Sequence, residues 1–481
     1  MTDQWLVLKF GGSSVAGKQQ WETIESLARQ RLDQGYRVLL VCSAMAGVTD
    51  ALQGLAEQAD THDGSEVTKI LSRHRQLAAE LGIDTEDLLG EAAEQITAIL
   101  KQIAGAADES GRYAGIASLL AVGEWLSTRI GERYLARNLT IDWVDACEAL
   151  KALAEDDLYA RRAWLSARCT SCPDSALQNR WLIKAPLLIT QGFVATHPQG
   201  GTVLLGRGGS DTSAVLLASR LEARHVEIWT DVPGLFSADP RVIPTARLLR
   251  TLDYDEALEM AASGAKVVHS RCIRAAADAG IPVQIGDLDH IGLSGTTIQH
   301  HGGTSAHGTE GIRSVCCQPQ MAVLLLQNID TREQVGFLAW VFAQISQAGI
   351  SIDLVATSET TTTVALNMIS NHLDEVRLAD LASKLQQRCA VTVFPQCCAI
   401  NLVGRGARVA LARIDPGSAF FAGHSLLMLS QSANDLCISM LVHARDADEL
   451  LKTLHDALIG RDLDEQHRAE VFGPSWRELQ G

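Results

Sequence analysis

The chain has 481 residues, of which 47% are hydrophobic and 20% charged, and its formal net charge is −16. The length corresponds to about three domains, and the composition is typical of a globular protein. The excess of acidic residues argues against a nucleic acid as principal partner, because phosphate backbones require basic protein surfaces. No run approaches the ~18 apolar residues of a membrane span, and the first residues lack a signal peptide's basic and apolar regions, so we expect a cytoplasmic protein without a membrane partner.

The first predicted elements are a short apolar strand, a glycine turn and a helix that begins near Gln20. Lys9 stands at the strand end, and Gly11, Gly12 and Ser13 follow it. Glycines let the backbone approach an anion, and helix-terminal N–H groups point at it. This layout predicts a phosphate site with Lys9 at its lip, and an ordinary turn with a surface lysine is the alternative.

A competing nucleotide motif overlaps this turn. Residues 12–18 fit a P-loop, but Gln19 stands where that motif requires the Ser or Thr that binds magnesium. The incomplete match favours the lysine before the glycines, Lys9, as the functional one.

The second predicted strand, 36–41, runs into a turn that carries Ser43 and Thr49. Ligands of open α/β sheets bind outside the carboxyl ends of the strands, so both hydroxyls are candidates for hydrogen bonds to a substrate. A capping turn before a helix that starts near Asp50 is the alternative.

A long helical pattern without a convincing strand covers residues 51–122. Glu124 follows in an apolar setting, where it is either a helix-surface charge or a group that holds a substrate amine. Further strands are predicted at 139–144 and 186–194, and loops and short helices are expected between them.

The 11 cysteines of the whole chain predict reduced thiols, because their number is odd and they are scattered through a chain without a secretory signal. Cys169 and Cys172 form a CxxC pair, but a structural zinc site usually needs two further ligands at similar spacing. The doublets at 316–317 and 397–398 are adjacent residues, which is a poor chelating geometry. We therefore predict no metal site, and the role of the CxxC pair stays open.

A strand at 202–206 leads into a second glycine-rich turn, 207–214, and an Ala/Leu-rich helix. The turn contains Arg207, whose planar fork suits a carboxylate, and Asp211, which the helix dipole would stabilise as an anion. N-capping by Ser210 or Asp211 is the alternative reading, and it is compatible with a catalytic role.

A strand at 225–229 precedes the polar stretch 230–241, and a second lysine, Lys266, follows a predicted helix. The last strand of this half is expected at 281–285. Residues 299–310 are rich in His, Gly and Thr without periodicity, which predicts a linker.

The C-terminal third begins with a strand, a helix, two strands and a helix, predicted in turn at 321–326, 336–348, 350–355, 362–367 and 373–385. A second unit follows from 393, with strands at 398–403 and 436–442 and a helix at 447–458. Its first helix is interrupted at 414–418, which indicates a degenerate unit and makes a second effector site there doubtful.

In their order along the chain, the motifs resemble those of aspartokinases: residues 9–14, 43–47, 123–124, 206–211, 229–234, 239–241 and 264–269. The resemblance covers residues 5–465. It implies an α/β amino-acid-kinase fold, a mostly parallel sheet sandwiched by helices, followed by two α+β ACT-like regulatory units. It also implies transfer of the γ-phosphoryl group of ATP to the side-chain carboxylate of L-aspartate, giving 4-phospho-L-aspartate, the first step of lysine, threonine and methionine biosynthesis. ATP would be used as its Mg²⁺ complex, and no tightly bound cofactor is implied.

The resemblance assigns roles to individual residues of this sequence. The catalytic residues would be Lys9 and Asp211. Aspartate would be bound by Ser43, Thr49, Glu124, Arg207 and Ser210. ATP would be bound by Lys9, Gly11, Gly12, Ser13, Thr230, Asp231, Phe236, Arg241 and Lys266.

Three positions depart from the family pattern. Phe236 and Thr212 replace frequent tyrosines, and Ser270 replaces a frequent proline. None of these departures removes a charged catalytic group, so we expect an active enzyme.

Residues 349–359 closely resemble the effector segment of lysine-sensitive aspartokinases. This resemblance implies a regulatory site that includes Ile329, Gly336, Phe337, Leu338, Ser351, Asp353, Thr357, Ser358 and Glu359. The carboxylates of Asp353 and Glu359 suit a cationic amino acid such as lysine, while threonine, alone or with lysine, is the alternative. The resemblance further implies a homodimer or higher oligomer formed through the ACT units.

The predicted domains are a catalytic domain at 1–298, a linker at 299–310, ACT unit 1 at 321–392, ACT unit 2 from 311–320 with 393–470, and a tail at 471–481. The tail could be a cut linker, because some aspartokinases are fused to another pathway enzyme.

Two other functions compete with this one. Another amino-acid-kinase-fold enzyme, such as a glutamate or acetylglutamate kinase, is disfavoured by the paired ACT-like units. An amino-acid sensor with an inactive kinase half is disfavoured by the presence of Lys9, Arg207, Asp211 and Lys266.

Overall fold

The chain divides into two compact units. The first comprises Met1–Leu235, Thr251–Tyr254 and Val267–His300, and the second comprises Phe236–Arg250, Asp255–Lys266 and His301–Gly481. The structure, a computed structural model, describes residues 4–61, 64–154, 159–265, 267–300, 311–327, 335–412, 425–459 and 465–480.

A mostly parallel sheet organises the first unit. The strands in this part of the chain are β1 (Trp5–Phe10), β2 (Arg37–Cys42), β3 (Ile141–Trp143), β4 (Leu187–Gln191), β5 (Val194–Thr196), β6 (Thr202–Leu204), β7 (Val226–Thr230), β8 (Arg247–Leu249, in the second unit), β9 (Thr251–Leu252), β10 (Val283–Asp287) and β11 (Thr296–Ile298). The sheet order is β3-β4-β2-β1-β7-β10-β11-β9. All neighbours are parallel except β10 and β11.

Helices cover both faces of this sheet. Successive strand residues point to opposite faces, and both Leu8 and its neighbour Val7 in β1 are fully buried, as are Leu40 and Leu39 in β2. Burial on both faces explains why these strands are continuous apolar runs. The helices of this part are α1 (Lys18–Asp33), α2 (Val48–Glu57), α3 (Ser65–Leu81), α4 (Glu86–Ala104), α5 (Glu109–Leu135), α6 (Ala146–Ala149), α7 (Ala160–Leu165), α8 (Ser175–Leu182), α9 (Gly209–Leu221), α10 (Tyr254–Ala262, mostly in the second unit) and α11 (Ser270–Ala279).

Most predicted elements of this unit are confirmed, and the helical stretch at 51–122 corresponds to α2, α3, α4 and the start of α5. The prediction of one continuous strand at 186–194 is wrong at its C-terminal end. It is divided into β4 and β5 because Phe193 adopts a positive φ of 72°, a conformation that no regular strand contains.

The second unit is organised around an antiparallel sheet. Its further strands are β12 (Ser314–Gln327), β13 (Leu354–Thr357), β14 (Thr361–Asn367), β15 (Ala390–Val403), β16 (Leu426–Gln431), β17 (Cys437–His443) and β18 (Phe472–Ser475). Its further helices are α12 (Phe337–Gln347), α13 (Glu375–Leu385), α14 (Ala407–Ala412), α15 (Ala444–Leu458), α16 (Glu465–Val471) and α17 (Trp476–Leu479). Six strands form one sheet in the order β13-β14-β12-β15-β17-β16.

Two long strands run through both βαββα repeats of this sheet. Residues 314–318 of β12 pair with 399–403 of β15, and residues 323–327 pair with 390–394 of the same strand. The register shifts between these halves, where Pro319 cannot donate to the ladder and Gln320 has a positive φ of 56°.

The strand predicted at 350–355 starts later than expected, as β13 at Leu354. The backbone of Ser351 is held by a side chain instead of a strand partner, because its N–H donates to Oδ1 of Asn371 (2.6 Å) and its carbonyl accepts from Nδ2 (3.0 Å). The interruption predicted at 414–418 and the linker residues 301–310 lie outside the described residues.

The segment predicted as a tail at 471–481 contains regular structure, since β18 pairs with β8 and α17 follows it. Across the described ranges, no helix combines the length and the apolar character needed to span a membrane.

Candidate active site

The first unit places a lysine and an aspartate together at the carboxyl edge of its sheet. Lys9 is near the end of β1, and Asp211 is in the first turn of α9. Nζ of Lys9 lies 2.5 Å from Oδ1 of Asp211, and both residues are more than nine-tenths buried. This oxygen accepts no hydrogen bond from another group in the described part of the chain. The two glycine-rich turns therefore meet through a buried ion pair.

The turn after β1 packs closely on the loop after β2. A Cβ on Gly12 would lie 2.8 Å from the carbonyl oxygen of Ala44, and the Gly12 carbonyl accepts from the N–H of Ala46 at 3.0 Å. The N–H of Ser43 donates to the carbonyl of Phe10 at 3.1 Å. Glycine is needed at position 12 because a side chain would push this loop, and with it Ser43, away from the lysine turn.

Glu124 is a buried residue of α5, so the helix-surface reading of this carboxylate is wrong. A Cβ on Gly123 would lie 3.0 Å from Cβ of Ala44, so the glycine lets α5 approach the loop after β2. The Ala44 N–H donates to the Glu124 carboxylate, but Oε2 has no hydrogen-bond partner among the described residues. Burial raises the pKa of Glu124 to about 8. A cationic ligand group bound beside this carboxyl would stabilise its ionised form.

Two residues that the sequence analysis missed, Gly192 and Phe193, support the start of α9. A Cβ on Gly192 would lie 2.7 Å from Cβ of Ser210, and the Phe193 ring packs against Gly209. The Phe193 N–H donates to Oγ of Ser213 at 3.1 Å. A glycine directly after a buried strand was the available signal. These contacts fix Ser210, a predicted aspartate ligand, beside the end of β4.

His269 is a further neighbour of the site that the sequence analysis did not predict, although it ends one of the motifs, residues 264–269. A Cβ on Gly208 (φ 64°) would lie 2.3 Å from Cβ of His269, so only glycine fits there. Nδ1 of His269 accepts from the N–H of Arg271 at the start of α11. Burial, followed by the charges of Arg271 and Arg207, lowers the pKa of His269. We therefore expect a neutral imidazole next to Asp211 and Arg207.

The other predicted ligands of this unit lie around the same strand ends. Arg207 is exposed, and within the described ranges no carboxylate pairs with it. Gly11 borders Nζ of Lys9, since a Cβ there would be 3.7 Å away, and Ser13 begins the 3₁₀ turn that follows. Thr49 is in the first turn of α2. At the end of β7, the Thr230 hydroxyl donates to Oδ1 of Asp231 at 3.0 Å.

Two predicted ATP ligands belong to the second unit. Phe236 is buried against Trp476, and Arg241 forms a two-pronged ion pair with Asp239 (3.0 and 2.8 Å). Lys266 lies outside the described residues.

The predicted regulatory residues fall on two elements of the second unit. Asp353 is exposed as a whole, but Oδ2 accepts from the Asn367 N–H at 2.7 Å, and partial enclosure of the carboxyl raises the pKa of Asp353. Ser358 closes the β13–β14 turn by bonding to Thr361, with Thr357 and Glu359 beside it.

The other regulatory element is the start of α12. Gly336, at φ 91°, precedes this helix, and Phe337 is buried while Leu338 is exposed. Ile329 lies outside the described residues.

The CxxC pair shows no metal-site geometry. In the described ranges no three His, Cys, Asp or Glu residues are arranged to hold a metal ion. Cys172 is exposed, and burial raises the pKa of Cys169 to about 12, which disfavours the thiolate that a metal requires.

Comparison with known proteins agrees with this arrangement. Residues 4–287 match the Amino acid kinase family. The chain belongs to that family. The fold class expected from the sequence, a mostly parallel α/β kinase sheet followed by regulatory α+β units, is thereby confirmed, as is the resemblance to aspartokinases.

Among its relatives in the family are aspartokinases of bacteria and plants. The chain is 29% identical to lysine-sensitive aspartokinase 3 of Escherichia coli, over 94% of this chain and 99% of that protein. It is 29% identical to the chloroplastic aspartokinase 3 of Arabidopsis thaliana, over 95% and 82%. The crystal structure of E. coli aspartokinase III with aspartate and ADP (R-state) superposes with a TM-score of 0.75 at 28% identity, and the structure with lysine and aspartate (T-state) with 0.74. Each structural match covers 94% of this chain and 99% of the other.

Proposed function

We propose that this protein is an ATP-dependent aspartate kinase that forms 4-phospho-L-aspartate, the first step of lysine, threonine and methionine biosynthesis. The observation that carries the proposal is the site at the carboxyl edge of the first sheet, where the Lys9–Asp211 ion pair is combined with the carboxyl group of Glu124, whose Oε2 atom has no partner in the described part of the chain. The ion pair suits a phosphoryl group, and Glu124 suits the amine of an amino-acid substrate.

The aspartate subsite in this proposal consists of Ser43, Thr49, Glu124, Arg207 and Ser210. Glu124 accepts from the substrate ammonium group, which replaces the hydrogen bond that Oε2 lacks. Arg207 binds the α-carboxylate, because its guanidinium is exposed and can engage both oxygens. The hydroxyls of Ser43, Thr49 and Ser210 donate to the remaining carboxylate oxygens.

The nucleotide subsite follows the second group of motif residues. Lys9 and the backbone of Gly11, Gly12 and Ser13 face the phosphates, and the stretch with Thr230, Asp231, Phe236, Arg241 and Lys266 borders the nucleotide. Mg²⁺ enters as part of the ATP complex, since this ion is commonly held by substrate phosphates with only one or two carboxylates. The absence of a ready-made metal cluster from the described residues is compatible with that use.

The chemistry requires positioning and charge more than covalent help. The substrate's side-chain carboxylate is already ionised and attacks the γ-phosphorus in line, so no strong general base is needed. The bond from the γ-phosphorus to the β–γ bridging oxygen breaks, and ADP leaves with its electron pair. Lys9 neutralises the charge that develops on the transferred group. Asp211 holds the ammonium group of Lys9 in place, at 2.5 Å.

We further propose that lysine inhibits the enzyme by binding near Asp353 and Glu359. The other residues assigned to this effector site are Ile329, Gly336, Phe337, Leu338, Ser351, Thr357 and Ser358. The supporting observations are the raised pKa of Asp353, which a cationic ligand would reverse, and the lysine sensitivity that the E. coli relative, aspartokinase 3, carries in its name. We also propose a homodimer or larger assembly through the regulatory units and a cytoplasmic location, where ATP and free aspartate are available.

A coupled assay of ADP release tests the function. Turnover with ATP and L-aspartate, and none with L-glutamate or N-acetyl-L-glutamate, is the expected result. Turnover only with one of the latter would assign another activity of the fold. No turnover with any acceptor, together with measurable binding of lysine, would assign an amino-acid sensor instead.

A further inference from the structure

A hairpin in the second unit, residues 236–250, carries two of the residues that the proposed function places at ATP. Phe236 forms an antiparallel β-bridge with Leu248, and the Ser237 N–H donates to the Arg247 carbonyl at 2.9 Å. The hydroxyl of Ser237 also contacts Nε2 of His455 in α15 at 2.9 Å. Arg241 lies near the hairpin tip. The position of Phe236 therefore depends on what packs against this hairpin.

The C-terminal segment, residues 471–479, lies along the second half of this hairpin, residues 244–250. The Arg250 N–H donates to the Val471 carbonyl at 2.8 Å, and Nε of Arg247 donates to the Gly473 carbonyl at 3.0 Å. The Trp476 N–H donates to the Ala246 carbonyl at 2.9 Å. Phe472 anchors the segment, because its side chain is almost completely buried.

Within this segment, the ring of Trp476 packs against the ring of Phe236 in a T-shaped arrangement. The ring centroids are 5.5 Å apart and the planes meet at 84°, which is a favourable arrangement for two aromatic rings. The turn that begins at Trp476 is fixed by a capping box, in which the Ser475 N–H donates to Glu478 at 2.7 Å. The indole ring is therefore presented to Phe236 by a stiff support.

We propose that Trp476 is a positioning residue of the nucleotide site, which acts by holding the ring of Phe236. Phe236 has no hydroxyl group with which to fix its own orientation, so packing alone determines it. The inference rests on the proposed function, because it takes from it that Phe236 borders ATP. It adds that a residue from the far end of the chain sets affinity for the nucleotide without touching it.

The test compares Trp476→Ala with Trp476→Phe and with Arg477→Ala, which removes the exposed neighbouring side chain but leaves the ring. Trp476→Ala should raise KM for MgATP roughly 2- to 10-fold, the size expected for one lost edge-to-face contact, with kcat and KM for aspartate unchanged. Trp476→Phe should restore most of the affinity, and Arg477→Ala should resemble the wild type. An unchanged KM for MgATP in Trp476→Ala, or equal changes in both KM values, would overturn the proposal in favour of a purely structural role.

A double-mutant cycle with Phe236→Ala sharpens the result. If Trp476 acts through Phe236, the double variant should bind nucleotide no worse than Phe236→Ala alone, and additive losses would refute the coupling. Equilibrium binding of a non-hydrolysable ATP analogue gives the same comparison without turnover. This measurement separates a failure of the inference from a failure of the proposed activity, which would appear as a wild type that binds the analogue but does not phosphorylate aspartate.

Discussion

Nζ of Lys9 lies 2.5 Å from Oδ1 of Asp211, and this ion pair joins the turn after the central strand to the start of a helix far along the chain. Both side chains are buried, so each charge depends on the other. Removal of one member of a buried pair typically costs about 3–5 kcal/mol because the remaining charge is left uncompensated. The proposed catalytic role and a structural role are therefore combined in the same contact.

Lys9→Ala should lower turnover by roughly 10²- to 10³-fold, as for the loss of one preorganised electrostatic donor. It should also lower the free energy of unfolding, measured with urea, because Asp211 is left unpaired. The double variant Lys9→Met/Asp211→Asn should recover much of the stability but none of the turnover. Near-normal turnover in Lys9→Ala would rule out the catalytic assignment.

The pKa of Glu124 predicts how aspartate binding depends on pH. Burial raises this pKa to about 8, so the free enzyme holds a proton there at neutral pH, and the substrate ammonium group requires the ionised form. Binding must then release a proton, and KM for aspartate should fall as the pH rises from 6 to 8. Glu124→Gln should raise this KM and remove the dependence. A wild-type KM that is flat over this range would contradict the assignment.

The same pKa predicts a stability effect in the absence of ligand. The pKa of this carboxyl is 4.5 in the unfolded chain and about 8 in the folded protein. Between pH 4.5 and pH 8 the group is therefore protonated in the folded state and ionised in the unfolded state. The contribution of this group to the free energy of unfolding is thus fully present below pH 4.5 and is lost as the pH rises to 8. The unfolding free energy of Glu124→Gln relative to wild type should therefore increase from pH 5 to 8 and level off above it. A difference independent of pH would show that Glu124 is ionised in the free enzyme.

Arg207→Ala should weaken the use of aspartate and leave ATP binding intact. A charge-assisted hydrogen bond of the usual strength corresponds to roughly a 10- to 150-fold rise in KM for aspartate. Because Arg207 is exposed, the thermal unfolding temperature should change little. Arg161→Ala, which removes another exposed arginine from α7, is the matched control. A defect confined to KM for ATP would place Arg207 at the nucleotide instead.

Asp353→Ala should relieve inhibition by millimolar lysine while uninhibited turnover stays close to that of the wild type. The Asn367 N–H that bonds Oδ2 of Asp353 can be satisfied by water at this exposed site, so folding should tolerate the change. Asp380→Ala, at another exposed carboxylate of this unit, should keep its sensitivity to lysine. Inhibition that is unaltered in Asp353→Ala would place the effector elsewhere.

Local patterns in the sequence were sufficient to predict the secondary structure around the carboxyl edge of the first sheet. The apolar run of β1, the glycines after it and the Ala/Leu-rich α9 each depend on residues close in the chain, and each formed as predicted. The strand end at Phe193 was missed, because its positive φ is stabilised by Ser213 of a different element. The start of β13 was missed for the same kind of reason, since Asn371 holds the backbone of Ser351.

By itself the sequence determined the fold class, because glycine turns and strand periodicity depend on residues close in the chain. The order of its motifs carried the resemblance to the family and, with it, the prediction of the charged groups at the site. Only the tertiary structure decided that Glu124 is buried with its Oε2 atom unpaired among the described residues, that Lys9 and Asp211 share one contact, and that Trp476 packs on Phe236. These facts depend on long-range packing and on the exclusion of water. Neighbouring residues in the sequence do not predict these contacts, since a glutamate on a helix is the same residue whether its side chain faces solvent or the core.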